Sequence, residues 1–295
     1  MKKNFYLCIL ALLPMCFAAC GSDDEEGPGI GGATVHPSPT PSPTFFGLDG
    51  KNYKLLSIDS QYEFKYDTNG VLTSMKNSSS YYSVSESSFA YSNNSTGNNG
   101  YTVNVAMNDS GCVSKIAYEY VKGNHKENGV MSFTYDNIKQ LVSIEGSVTA
   151  NWVDEKQREG WKDITIKHSN EWVNGNLVGM KVVRIGKHKE ETDAEESNYS
   201  KEETRSFSYG NEKNELRQMP YRISEKILYV PGADMLGLLG LLGVGPTNVP
   251  TSDGSGYQLN YYTNRNGTIS NEILIHDNYG GNGKTETYPH KYKYE

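Results

Sequence analysis

The sequence predicts an all-β protein: a many-stranded antiparallel meander curled into a barrel-like sheet, with one short Leu-rich helix. Three observations predict it. Apolar and polar residues alternate with period two through most of the chain, hairpin turns recur at a fixed spacing from the strand ends, and helical periodicity is nearly absent. The composition of the 295 residues fits, with 36% hydrophobic residues and abundant Tyr (22) and Gly (30). It excludes a coiled coil, a collagen-like chain and a helical membrane protein. The aromatic content excludes global disorder. A net charge of −7 provides no basic footprint for nucleic acid.

The first residues carry targeting information. Met1-Lys2-Lys3 is positive, and Phe5 to Ala19 is an apolar run too short to span a bilayer, which together read as a signal peptide. Phe17-Ala18-Ala19-Cys20 matches a bacterial lipobox. Small residues let the peptidase reach the backbone, and the thiol accepts the lipid. Residues 1–20 are therefore read as a lipoprotein signal peptide, with lipidated Cys20 as the membrane anchor. The acidic run Asp23-Asp24-Glu25-Glu26 resembles the surface-export signal of Bacteroidota lipoproteins. The expected place is the outer membrane, facing outward, or otherwise facing the periplasm. Of four cysteines, Cys8 and Cys16 leave with the signal and Cys20 is lipidated, so Cys112 is left alone as a structural thiol.

Residues 21–46 are acidic and rich in Pro and Ser, and read as an extended tether; residues 47–295 form one β domain. Within it Tyr62, Phe64 and Tyr66 share one strand face, as do Tyr101, Val103, Val105 and Met107, then Met131, Phe133 and Tyr135. Ile223, Ile227 and Tyr229 suggest another strand, with Glu225 as an exception, and Tyr288, His290, Tyr292 and Tyr294 the last. About fourteen strands are expected, from the count of alternating runs.

The turns repeat. Phe64 to Met75, Val105 to Ile116 and Phe133 to Ile144 share one pattern: an aromatic or apolar strand end, an Asp or Asn turn and an apolar return strand. Asp67 and Asp136 hold equivalent places and are read as turn-capping residues rather than paired catalytic carboxylates. The return-strand residues fall on opposite parity, so either the first caps the turn or a bulge intervenes. Two segments depart from the pattern. Lys187 to Arg205 is charge-rich and reads as a long exposed hairpin. Met235 to Leu242 is apolar, bounded by Pro and Gly, and is the expected helix, with Gly237, Gly240 and Gly243 offering a bare backbone face. It is expected to plug or cap the sheet, because a closed sheet of so many strands encloses more than side chains fill.

The lipobox, the aromatic-Asp turn units and the Leu-Leu-Gly segment followed by Thr247-Asn248-Val249-Pro250-Thr251 resemble, together, a Bacteroidota lipoprotein family catalogued as a domain of unknown function with a porin-like fold. The resemblance covers roughly residues 50–295. It implies a barrel-like meander and no activity. Lipidation, strands of five or six residues and a chain ending Tyr292-Lys293-Tyr294-Glu295 favour an apolar-inside sheet over a membrane-spanning barrel.

No nucleophile elbow, zinc helix, Walker loop or paired Cys-x-x-Cys is present, so the chain is read as non-enzymatic and without a cofactor or metal. His276-Asp277 is adjacent on a strand and points to opposite faces. His188 with Glu190 and Glu191 reads as a solvated charge run. Trp152, Trp161 and Trp172 lie within 21 residues and are the candidate ligand-stacking side chains, against ordinary cross-strand packing. The expected function is a non-catalytic binding module for a glycan or another nutrient, with a carrier of an apolar ligand inside the curled sheet as the alternative.

Overall fold

The computed structural model describes residues 44–295, apart from 60, 78–79, 86–87, 93–98, 191, 193–194, 227–230 and 280–283. The signal peptide, Cys20 and most of the tether lie outside the described residues. Two short strands, β1 (Phe45–Phe46) and β2 (Asn52–Tyr53), pair with each other. They are followed by β3 (Leu55–Ile58), β4 (Tyr62–Tyr66), β5 (Leu72–Asn77), β6 (Tyr81–Ser85), β7 (Ser88–Ser92) and β8 (Asn99–Met107). Then come the long strands β9 (Val113–Lys122), β10 (His125–Tyr135), β11 (Leu141–Val153), β12 (Glu159–Val173), β13 (Asn176–Lys189) and β14 (Ser197–Ser206). The last are β15 (Ser208–Lys213), β16 (Asn248–Ser252), β17 (Gln258–Thr263), β18 (Ile269–Tyr279) and β19 (Lys284–Tyr294), with helices α1 (Tyr221–Ser224) and α2 (Ala233–Leu238) between β15 and β16.

Each strand from β3 to β14 pairs antiparallel with its neighbour in sequence, and so does each from β15 to β19. Two strands join these ladders into a ring. β19 pairs with β18 as far as Lys291, then with β3 from Tyr292 to Tyr294. β14 runs on through Phe207 into β15 and changes partner from β13 to β16. The expected meander is therefore present, and it is barrel-like. Its strands outnumber the fourteen expected, because short ones such as β1 and β2 leave no periodic run to read.

One turn geometry explains the sequence repeat. In Asp67–Val71, Asn108–Cys112, Asp136–Gln140, Asp154–Arg158 and Asn264–Thr268 the first residue's N–H donates to the fifth carbonyl and the fourth N–H to the first carbonyl. In four of them the first side chain also accepts from the third and fifth N–H groups, as Asp67 does from Asn69 (2.9 Å) and Val71 (2.8 Å). The fourth residue is left-handed, and Gly70, Gly111 and Gly267 meet that need without strain, whereas Lys139 (φ 65°) and Gln157 (φ 62°) do not. A register shift follows in the hairpins at Tyr66, Met107, Tyr135 and Thr263, so the bulge is the right account of the parity change. At the same end a row of aromatic side chains stitches each strand to the one before it, or across the β14–β15 junction to β13. Tyr66 OH donates to Leu55 O (3.1 Å), Tyr135 OH to Val113 O (2.8 Å), Trp172 Nε1 to Leu141 O (2.8 Å) and Tyr209 OH to Leu177 O (2.8 Å).

This turn-bearing end is closed from within. The segment between β15 and β16 enters the ring, forms α1 and α2, and returns to hydrogen-bond the turns. Leu241 O accepts from Val113 N (2.9 Å), and Val244 N donates to Lys139 O (3.0 Å). Leu236, Leu238, Leu239, Leu241 and Leu242 are all buried, in one cluster with Tyr62, Phe64 and Met75 from the strands. The expectation of an apolar plug therefore holds. The helix is shorter than expected, because Gly240 (φ 74°) and Gly243 (φ 88°) are left-handed turn residues rather than one bare helical face. Gly237, within the helix, serves close approach: a Cβ there would lie 2.2 Å from Ser224 Oγ of α1. The strand expected from Ile223 is also corrected. Tyr221–Ser224 is a helical turn begun after Pro220, inside the ring where no strand edge is available to it, and residues 227–230 lie outside the described residues.

The outward positions are mostly polar, with single exposed apolar residues such as Val130 and Ile185 among them. β10 turns Lys126, Asn128, Ser132 and Thr134 outward, and β12 turns Asp163, Thr165, Lys167 and Ser169 outward, all exposed. This is apolar-inside, polar-outside alternation, the reverse of a strand that faces lipid.

Candidate functional site

The end opposite the turns begun by Asp67, Asn108, Asp136 and Asn264 carries the Asp154–Arg158 turn and is open, and there β9–β13 stand tall. Strand register builds its inner face. Tyr101 lies opposite Tyr120 and Tyr120 opposite Glu127, Lys126 lies opposite Asn151, which brings the next residues His125 and Trp152 alongside, and Trp152 lies opposite Gly160. The rings form a continuous row across four strands. Tyr101 and Tyr120 stack at 4.4 Å, Tyr120 meets His125 edge-on at 5.7 Å, and His125 lies parallel to Trp152 at 5.6 Å and 12°. Glycine makes room for the row. A Cβ at Gly160 would lie 2.2 Å from the Trp152 ring, and one at Gly129 would lie 2.1 Å from Tyr118, so each ring rests directly on a neighbouring backbone.

Beside the row, Glu127 collects three partners. Tyr118 OH donates to it (2.8 Å), Lys162 Nζ pairs with it (2.7 Å), and His125 Nε2 stands 3.9 Å away. Burial first, and the Glu127 charge second, push the Tyr118 hydroxyl far above its ordinary pKa, so it remains a donor. A cleft of about 700 Å³ opens over this group, lined by Lys122, Asn124, His125, Trp152, Lys162 and Glu190 among others. It combines an aromatic surface with fixed hydrogen-bonding groups, which is the make-up of a small-molecule site.

The three tryptophans do not meet. Trp152 lines the cleft. Trp161, one position off the inward parity of Gly160 and Lys162, faces outward on β12, opposite Asn151 and Lys189. Trp172 faces inward at the far, turn-bearing end, packed on the core with its N–H bonded to Leu141 O. Tyr101, Tyr120, His125, Glu127 and Lys162 were missed in the sequence because they come from four strands and only register unites them.

The remaining side chains with chemistry are placed elsewhere. Cys112 is buried, and burial raises its pKa against the pull of Lys139. His276 packs on Tyr257 (5.1 Å), while Asp277 accepts from Gln258 Nε2 and Thr285 Oγ1. His188 stands edge-on to Tyr199 (5.6 Å). Among the described residues, no group of three His, Cys, Asp or Glu side chains could hold a metal ion.

No protein-family model and no curated protein matches the chain. Solved structures do show similarity. A porin-like protein from Bacteroides uniformis is 14% identical, with 82% of this chain and 93% of that chain covered and a TM-score of 0.45. A porin-like protein from Bacteroides vulgatus is 13% identical, with 79% and 92% covered and a TM-score of 0.41. The architecture described above stands on its own strand pairings.

Proposed function

We propose that the chain is a non-catalytic binding module of the cell envelope, anchored in the outer membrane through Cys20 and facing outward, and that its open end takes a glycan. The lipobox supports the anchor. One observation carries the binding site: Trp152, seated on Gly160 and His125, lines an open cleft beside the Glu127–Lys162 pair. Sugars present both C–H surfaces, which lie against aromatic rings, and hydroxyls, which need placed donors and acceptors. The apolar-carrier alternative has less support, because the chain's own Leu-rich segment fills the apolar interior.

The test is a glycan array probed with the full chain in detergent. Binding should fall by about tenfold or more in Trp152→Ala, the loss of a central aromatic contact, and persist in Trp172→Phe. An array without a bound glycan, or binding that survives Trp152→Ala, overturns the reading.

A further inference from the structure

The cleft beside Trp152 is one part of a longer feature that strand register builds. Tyr101 of β8 lies opposite Tyr120 of β9, and Tyr120 opposite Glu127 of β10. Glu127 lies opposite Ala150 of β11, and Ala150 opposite Lys162 of β12. Lys162 lies opposite His188 of β13, and His188 opposite Ser197 of β14. One line of inward positions therefore crosses seven neighbouring strands. Six spacings of about 4.8 Å make it about 29 Å long, measured along the wall.

The line marks the level at which the core ends. Two residues nearer the plug, the same register joins Val103, Tyr118, Gly129, Val148 and Ile164, all of them buried. On the line itself Tyr101, Tyr120, Glu127, Lys162 and His188 are half-buried and Ser197 is exposed, so solvent reaches it. Every position but Ala150 bears a hydroxyl, carboxylate, ammonium or imidazole group. Above Ala150 the parallel rings of His125 and Trp152 stand at the next inward positions. Past the cleft, the His188 ring stands edge-on to Tyr199 (5.6 Å), and Ser197 Oγ lies 3.4 Å from its Nε2. Across the ring, β3–β6 are only four to six residues long, against nine to fifteen for β8–β14. The line is therefore reached from the side as well as from above.

We infer that this line receives a linear oligosaccharide, laid along the wall from β8 to β14. One sugar ring rests against Trp152, with further units at Tyr101 and Tyr120 on one side and at His188 and Ser197 on the other. The inference rests on the glycan reading of the open end. It assigns the site to a chain of several sugars, because a disaccharide held at Trp152 covers only the middle of the line. Half-exposed aromatic rings alternating with fixed polar groups suit a chain that repeats the same C–H faces and hydroxyls.

The experiment measures binding of the full chain in detergent by calorimetry, with cellobiose, cellotetraose and cellohexaose and with the matching maltose and galacturonate series. In one series the hexasaccharide should bind at least about tenfold tighter than the disaccharide, the worth of one hydrogen bond to a charged group. That gain should shrink in His188→Ala and in Tyr101→Leu, at opposite ends of the line. Disaccharide affinity should stay unchanged in both, which also shows that they fold. Trp152→Ala should weaken every length. Lys187→Ala, on the outward face beside His188, should change nothing. A disaccharide that binds as tightly as the hexasaccharide, both through Trp152, overturns the extended line and leaves the glycan reading standing. A length gain that is undiminished in both end variants overturns it as well. Failure of every probe to bind removes both readings.

Discussion

Glu272 should make the protein more stable in mild acid than in mild base. It lies on β18 with no exposed surface, and accepts from Tyr261 OH (2.7 Å), Tyr292 OH (3.0 Å) and Arg222 N (3.2 Å). Burial raises its pKa from 4.5 to about 7; the three donors and the Arg222 charge oppose the rise and do not cancel it. Between those two values the folded chain binds a proton that the unfolded chain does not. Stability from this group is therefore fully present below the unfolded value near 4.5 and is lost as pH rises through 7. A gap of that size is worth about 3 kcal/mol at most, at about 1.4 kcal/mol per pH unit. Buried His168 opposes it in part. Its pKa is lowered to about 4, by burial first, so its contribution falls as pH drops below 6.5. The comparison that isolates Glu272 is therefore with Glu272→Gln, which keeps the shape and the acceptor oxygen and removes the titration. Urea unfolding at pH 5, 6, 7 and 8 should show the variant matching the native chain near pH 5 and exceeding it by about 2–3 kcal/mol at pH 8. Parallel pH profiles for the two chains would refute the reasoning.

Two further outcomes follow from the sequence and the interior. Leu239→Asp places an unpaired charge in the apolar plug, at a side chain only 3% exposed, and should cost several kcal/mol in thermal or urea unfolding; an unchanged Tm would mean that the segment is not part of the core. Cys20→Ser should release the protein from the membrane fraction or leave it unprocessed, and normal processing with unchanged membrane retention would remove the anchor.

The divide between what could and could not be read in the sequence follows the range of the interactions. The turns were legible because one Asx side chain bonds N–H groups two and four residues on, so Asp67 and Asp136 carry their role within five residues. The plug was legible because no other apolar run was left without a strand period. The helical register of its glycines was not, since Gly240 and Gly243 look the same in sequence whether they bare a helix face or turn the chain. The candidate site depends on register. Trp152 and Trp161 are close in sequence, yet Asn151 pairs with Trp161, which leaves the two rings on opposite faces of the sheet. Tyr120 and His125 flank a two-residue hairpin turn, and Trp152 comes from the next strand, so the row exists only once β9, β10 and β11 are aligned. The one local sign was on β12 and β10, where Gly160 and Gly129 take inward positions that a strand otherwise fills with apolar side chains. Each marks where a neighbouring ring lies flat on the backbone. Glu272 shows the same limit from the opposite side. It alternates normally with Asn271 and Ile273, and only the burial of its face, supplied by α1 and the hydroxyls of Tyr261 and Tyr292, turns an ordinary carboxylate into a group that titrates near neutrality.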